Sequence, residues 1–126
     1  GPALRLLGHR EDVPALLAAC DVLAVPSTCD EAFGLVALEG QVAGRPVIVS
    51  ATGGLTEIVS HDVNGCVVPP GDADALADTI RRLLDDPAWV AGLVARARID
   101  AERFGLEDHL RLLSDLFERV VGRHGR

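Results

Sequence analysis

Short apolar runs, each followed by small or polar residues and then by a helical pattern, constrain the fold of this 126-residue chain most strongly. Val22–Val25 is a continuous apolar run between a polar residue and a proline. Such a run is typical of a strand that is buried on both faces of a parallel sheet. We predict further strands at Ala3–Leu7, Pro46–Val49 and Cys66–Val68. About four short strands alternating with helices predict an α/β fold in a single domain over residues 1–126.

The helices are predicted from capping residues and from apolar side chains at helical spacing. In the central helix, Leu35, Leu38 and Val42 are expected to form the buried stripe, with Gln41 on the other side. Gly44 is expected to end that helix in the left-handed conformation. The predicted helices are a short one from Asp12 to Ala19 or Cys20, Leu35–Ala43, a turn at Glu57–Val59, Ala73–Leu84, a helix from Pro87 to Arg103 interrupted only by Gly92, and Glu107–Val121.

Composition excludes several classes of function. The net charge of −7 argues against a nucleic-acid partner, because binding to a phosphate backbone needs a basic face. No apolar run is long enough to span a membrane, and no signal peptide is visible. The chain contains no Met and opens close to a predicted strand, so we expect a fragment of a longer protein. Three cysteines without CxxC spacing predict reduced thiols and a cytoplasmic location, and we expect no metal site.

The stretch from Pro26 to Glu39 is the strongest candidate for a binding site. It covers a strand end, a loop and the first turns of a helix, where backbone N–H groups without helical partners attract phosphate. Gly34 leaves room for a ligand against the backbone. The two carboxylates, Glu31 and Glu39, are at most roughly 12 Å apart, which suits the two ends of a nucleotide-sugar. Taken singly, Glu31 also fits a helix N-terminal charge and Glu39 a solvated surface residue.

Residues beyond two other strands are also candidates. Gly53 and Gly54 follow the strand at Pro46–Val49 and are expected to turn the backbone sharply beside a sugar and a phosphate. Glu57 suits either a capping carboxylate or a ligand contact. Ser27 and Thr28, just past Val22–Val25, either bond a ligand or shape the turn.

These motifs together resemble the donor site of the retaining glycosyltransferases of family 4, which have the GT-B fold. The resemblance extends over roughly Leu4 to Val121, and its strength lies in the order of the motifs rather than in the E-x7-E spacing alone. In chain order, the matching motifs are Asp21-Val-Leu-Ala-Val-Pro-Ser27, Glu31-x7-Glu39 with Phe33-Gly34 inside it, Gly44-x-Pro46, and Gly53-Gly54-x-x-Glu57.

The resemblance implies a Rossmann-like sheet and a role for each motif. It assigns contact with the transferred sugar to Glu31 and contact with the ribose to Glu39. It also places the loop with Gly8, His9 and Arg10 near the nucleotide base, although a solvated loop is the alternative for the side chains of His9 and Arg10. The backbone N–H groups implied for the sugar and diphosphate are those of Phe33, Gly34, Leu35 and Val36.

The implied donor is a nucleotide-diphosphate sugar such as a UDP- or GDP-hexose, and no metal or other cofactor is implied. The departing diphosphate helps to deprotonate the acceptor, so that Glu31 positions and stabilises the sugar and does not attack it. This chain resembles the later part of the C-terminal donor domain. The N-terminal acceptor domain, and the Arg and Lys that the family uses for the diphosphate, are missing from the matched part.

Two consequences of that truncation are expected. The fragment should not transfer sugar, and it should bind donor weakly or not at all. Its first strand should be separated from the others by a gap, which leaves an open edge that invites pairing between copies, most simply in a dimer. Alternatively, Ala3–Leu7 moves beside Val22–Val25.

Other classes of function remain open at this stage. A Rossmann-like module that binds a nucleotide or phosphate without chemistry is one, and a purely oligomerising domain is another. A flavodoxin-like or response-regulator-like domain would leave Gly53-Gly54-x-x-Glu57 unexplained. The sugar, the base and the acceptor are not encoded in recognisable motifs.

Overall fold

The computed structural model of the chain describes residues 3–30 and 34–105. That part confirms the predicted α/β class with a parallel sheet. The predicted helix Glu107–Val121 lies outside the described residues. The strands are β1 (Leu23–Val25), β2 (Val47–Ser50) and β3 (Cys66–Val68), and the helices are α1 (Val13–Ala19), α2 (Leu35–Val42), α3 (Leu55–Ile58), α4 (Ala73–Asp85) and α5 (Pro87–Glu102).

The sheet has the order β1-β2-β3, and both pairs of strands are parallel. Ile48 in the central strand is in register with Ala24 on one side and Cys66 on the other. All four residues of β2 are buried, as expected for the middle strand of a parallel sheet. Ala24 in β1 is exposed, so the prediction that this run is buried throughout was wrong. β1 lies at the sheet edge, where covering by neighbouring elements is incomplete.

The predicted strand at Ala3–Leu7 is absent from the structure. Leu4 and Leu6 are 75% and 88% exposed, and the segment does not pair with β1. A strand needs a neighbour that satisfies its N–H and C=O groups, and this segment does not take the place beside β1 that is open among the described residues. The described sheet therefore has three strands rather than about four, and one side of β1 has no neighbouring strand within it.

Side chains of β2 alternate between two cores, because successive side chains in a strand point to opposite faces. Val47 and Val49 pack with α2, α3 and Ala101 at the end of α5. Ile48 packs on the other face with α4 and with Leu93 of α5. Helix α5 therefore contributes to both cores. Burying one such aliphatic side chain stabilises the fold by about 1.5–3 kcal/mol.

The buried face of α2 differs from the one predicted. Gln41 is 1% exposed, whereas Val42 is 58% exposed. The amide Nε2 of Gln41 donates to the backbone carbonyl of Asn64 at 3.5 Å, which partly satisfies a polar group in a buried position. A single apolar stripe did not predict the buried residues of α2, because this helix packs against α5 as well as against the sheet.

The predicted helix ends hold except at Asp12, which does not cap α1, and at α3, which begins at Leu55 instead of Glu57. Asp72 accepts a hydrogen bond from the Ala75 N–H at 2.9 Å, and Asp86 accepts one from the Trp89 N–H at 3.0 Å. Gly44 follows α2 with φ +74°, as predicted. Asp12 precedes α1 but its side chain makes no capping hydrogen bond. α5 continues through Gly92 without interruption, because its other residues favour the helix.

Two helical glycines provide a matched test of packing. A methyl group on Gly40 would meet the Leu23 side chain and lie 3.0 Å from Val47 Cγ2, whereas one on Gly92 would meet nothing within 4 Å. We expect Gly40→Ala to lower the free energy of unfolding by about 1–3 kcal/mol through overpacking. Gly92→Ala should raise it by about 0.5–1 kcal/mol, because alanine favours the helix. Urea denaturation of both variants tests this, and equal effects would contradict the close approach of α2 to the sheet.

Candidate functional site

The candidate site lies at one edge of the sheet. Because all three strands are parallel, their carboxyl ends meet at the same edge. The segments that follow β1, β2 and β3 lead into α2, α3 and α4 respectively. Ligands of open α/β sheets bind at this edge, so the fold places the predicted loops where a ligand site is expected.

Gly34 brings the first two of these segments together. It precedes α2 with φ +69° and is buried, and a side chain at this position would lie 2.7 Å from Leu55 Cδ2 at the start of α3. Only glycine fits both the left-handed backbone and this contact. Leu35 and Val36 form the first turn of α2, where N–H groups have no partner within the helix. Leu35 is half-buried, and Val36 is 37% exposed.

The segment after β2 is shaped by one of its two glycines. Gly53 has φ +43° and is exposed, whereas Gly54 has the helical values φ −66° and ψ −13° and directly precedes α3. The sharp turn predicted for both therefore falls on Gly53. Glu57 is exposed in the third position of α3 rather than at its start.

Thr52, beside these glycines, was not predicted as a site residue. Its side chain is buried, and its hydroxyl has no hydrogen-bond partner among residues 3–30 and 34–105. A buried hydroxyl without a partner costs about 1–3 kcal/mol. Only its place next to Gly53 in the sequence could have drawn attention to it.

Glu39 is the fifth residue of α2 and is half-buried. It lines a cavity of about 430 Å³ between α1, α2 and the end of α5. A cavity of this size is within the range of small-molecule sites, and its walls are mainly apolar. Glu39 is therefore not a fully solvated surface residue. The other lining residues are Pro14, Leu17, Leu35, Leu38, Val42, Ala43 and Ala101.

A smaller cavity of about 170 Å³ lies at the carboxyl edge itself. Pro26 after β1, Ser50 at the end of β2 and Val68 at the end of β3 contribute to its wall. Asp72, at the start of α4, closes it on another side. The sequence did not indicate this cavity, because its walls come from three separate parts of the chain.

The loop before α1 contains Gly8, with φ +67°, and His9, and both are exposed. Arg10 donates two hydrogen bonds to the Asp12 carboxylate, at 2.7 and 2.6 Å. This pairing lowers the pKa of Asp12 and raises the pKa of Arg10. The pairing also explains why Asp12 does not cap α1. The loop enters the helix whose Pro14 lines the Glu39 cavity.

Two predicted site residues, Glu31 and Phe33, lie outside the described residues. The separation of Glu31 from Glu39 therefore stays a prediction. Of the other predicted residues, Gly34, Leu35 and Val36 surround the start of α2, Glu39 lies one turn further along, and Gly53 and Gly54 lie at the neighbouring segment.

The cysteines show no disulfide: Cys20, Cys29 and Cys66 are all free. Burial raises the pKa of the Cys66 thiol to about 11, with a smaller contribution from the charge of Asp62. Residues 3–30 and 34–105 contain no group of three or more His, Cys, Asp or Glu side chains placed to hold a metal ion. No helix in the same ranges combines the length and apolar character needed to cross a membrane.

Comparison with known proteins identifies the family. The profile of the family described as Glycosyl transferases group 1 matches residues 1–86. The chain is 40% identical over 114 residues to the D-inositol 3-phosphate glycosyltransferase of Salinispora tropica, covering 90% of this chain and 23% of that protein. It is 38% identical, over 90% of its length, to the 2-deoxystreptamine glucosyltransferase of Streptomyces kanamyceticus, of which it covers 29%.

Solved structures with GT-B Rossmann-like folds agree with this assignment. HepE of Anabaena, in complex with UDP and glucose, is 34% identical with a TM-score of 0.80, covering 91% of this chain and 32% of that one. Sucrose-phosphate synthase of Thermosynechococcus elongatus is 39% identical with a TM-score of 0.71, and the match covers 86% of this chain and 27% of that one. The chain spans about a quarter of the length of the curated relatives it matches. The fold, the arrangement of the carboxyl edge and the match over residues 1–86 together show that the chain belongs to the glycosyl transferases group 1 family.

Proposed function

We propose that this chain is the donor-binding part of a retaining glycosyltransferase of family 4, which transfers a hexose to an acceptor hydroxyl. The main support is the placement of Glu39, which lines a cavity and lies one turn from the start of α2, the helix that follows β1. The contact between Gly34 and Leu55 adds the segment with Gly53 and Gly54 to the same region. HepE, which the chain resembles, has been solved with UDP and with UDP-glucose.

In this proposal each part of a nucleotide-sugar has its own contacts. Glu39 accepts hydrogen bonds from the ribose hydroxyls. The N–H groups of Gly34, Leu35 and Val36, with that of Phe33, face the diphosphate and the sugar, since the start of a helix favours negative charge. Gly53 and Gly54 let the backbone lie close to the sugar. Gly8 and His9 are placed near the base.

The proposed reaction exchanges two bonds at one face of the sugar. The bond from the anomeric carbon to the diphosphate oxygen breaks, and the acceptor oxygen bonds to the same carbon. The departing diphosphate takes the acceptor proton. Because the acceptor oxygen bonds directly to the anomeric carbon, no side chain becomes covalently attached. Glu31 positions the sugar and stabilises the positive charge that develops on it. The proposal needs no metal ion.

The proposal leaves the acceptor unassigned and puts the donor in the class of UDP- or GDP-hexoses. The two relatives named above carry different acceptors in their names, D-inositol 3-phosphate and 2-deoxystreptamine. In this proposal an N-terminal domain of the complete protein binds the acceptor. We also propose that the protein lies in the cytoplasm.

Titration of the isotope-labelled chain with UDP, GDP and ADP tests the donor site. We expect chemical-shift changes centred on residues 31–39 and 53–57. Comparing the size of the changes for the three nucleotides ranks the preference of the site for each base. Glu39→Gln keeps the size of the side chain but loses a charged acceptor, which is worth about 1.5–3 kcal/mol. Affinity should therefore fall about tenfold or more.

Glu102→Gln, at an exposed position near the end of α5, is the matched control and should leave the titration unchanged. Equal affinities of wild type and Glu39→Gln would contradict the ribose contact. No response to any nucleotide, in this chain and also in a longer protein that restores the preceding strands, would contradict the donor site itself.

The isolated chain is expected to transfer no sugar from UDP-glucose or other nucleotide-hexoses. In this proposal it lacks the acceptor domain and the two cations that the family uses for the diphosphate. Release of UDP or GDP, measured with and without added acceptors, tests the expectation. Turnover by these 126 residues alone would show that the chemistry is complete within them.

Self-association of the chain is expected at its open strand edge. Leu23 N–H donates to Pro46 O at 3.0 Å, so the N–H of the next residue, Ala24, points away from β2. Sedimentation should show a dimer, and Ala24→Pro should shift it to monomer because it removes that outward donor. A clean monomer of the wild-type chain at high concentration would contradict pairing through this edge.

A further inference from the structure

A buried side-chain amide links the elements around the candidate site. Asn64, between α3 and β3, is 5% exposed. Its Nδ2 donates to the carbonyl of Ile58 at 3.2 Å and to Asp100 Oδ2 at 3.0 Å. Its Oδ1 accepts from the Ser60 N–H at 2.8 Å. These partners fix the orientation of the amide, because the nitrogen can only donate and the oxygen can only accept.

The network continues into α2 and α5. The backbone carbonyl of Asn64 accepts from Nε2 of the buried Gln41, which is two residues after Glu39. On α5, Arg96 Nε donates to Asp100 Oδ1 at 3.0 Å and so holds the carboxylate that receives the Asn64 amide. One residue is therefore bonded to the end of α3, to α2 and to α5.

We propose that Asn64 is a positioning residue for the donor site, and this inference rests on the function proposed above. It fixes the Gly53–Gly54 segment relative to Glu39. Helix α3 has four residues and is about 6 Å long. Holding its end at Ile58 therefore also sets its start, where Leu55 contacts Gly34.

A turn alone does not need these contacts. An Asn-Gly pair such as Asn64-Gly65 is typical of a turn, and a turn is satisfied by local hydrogen bonds. The bond to Asp100 joins residues 36 apart in the chain, and the bond from Gln41 joins residues 23 apart. Buried networks of this kind give one arrangement of their elements an advantage over others when every member is satisfied.

An exchange of side chains tests the inference. Asn64→Asp replaces the donating nitrogen by an oxygen that faces the Asp100 carboxylate and the Ile58 carbonyl. Adding Asp100→Asn restores a donor between positions 64 and 100 and preserves an acceptor for Arg96, but the Ile58 carbonyl still lacks its donor. Asp78→Asn is the control, because Asp78 pairs with Arg81 on the exposed side of α4.

The first measurement is the set of backbone amide resonances of the chain without ligand. Asn64→Asp should move the resonances of Gly53 and Gly54. The double variant should return them part of the way toward wild type, because it restores the bond between positions 64 and 100 but not the bond to Ile58. Asp78→Asn should leave them in place. Shifts confined to residues 58–65 and 96–101 would overturn the inference, since the disturbance would not reach the site.

The second measurement uses the complete glycosyltransferase that contains this chain, at a temperature where every variant is folded. Asn64→Asp should raise KM for the donor by about tenfold to a hundredfold, as a small misplacement of binding groups does. KM for the acceptor should not change, and the double variant should recover part of the change in the donor KM. A lowered Tm with an unchanged donor KM would overturn the inference. Absence of transfer by the wild type would instead refute the proposed function, and the resonances alone would then decide whether Asn64 positions the segment.

Discussion

The rest of the structure depends on the parallel pairing of β2 with both of its neighbours. Its four residues are fully buried, and their alternating side chains supply both cores. The same pairing makes the three strands end at one edge. Hydrophobic burial and the position of the candidate site therefore have one origin, and a change that displaced β2 would disturb stability and binding together.

The packing around the site depends on two glycines, which have no side chain and so allow close contacts. Gly34 lies against Leu55, and Gly40 lies against Leu23 and Val47, so α2 approaches α3 on one side and the sheet on the other. Such close packing leaves little freedom for α2 to slide. Glu39 lies between these two glycines in the sequence, so the backbone that carries its carboxylate is held by close packing on both sides.

The sequence predicted local features well. The apolar runs at β1, β2 and β3 are bounded by turn residues, and Asp72 and Asp86 cap α4 and α5 through hydrogen bonds within three residues. These signals are local and need no knowledge of distant partners. The run at Ala3–Leu7 carried the same apolar signal but formed no strand, because pairing depends on a neighbour that the pattern does not reveal.

The features that the sequence did not reveal arise from contacts between distant parts of the chain. Gln41 is buried and Val42 is exposed because α5 packs on α2, which a single helical stripe does not encode. The Asn64 network spans up to 36 residues, and the unpartnered hydroxyl of Thr52 is apparent only once burial is known. For the site, the pattern identified the residues near the ligand but not those that hold them.

The net negative charge of this chain limits how strongly the proposed site can attract a diphosphate. The chain carries a net charge of −7, and a diphosphate is itself an anion. Arg10, Arg81, Arg82 and Arg96 are all paired with carboxylates of the chain. The N–H groups at the start of α2 favour a phosphate there, but they offset little of the repulsion from the net charge. The proposal therefore assigns the position of the donor to these residues and expects strong binding only together with the Arg and Lys that the resemblance implies for the diphosphate.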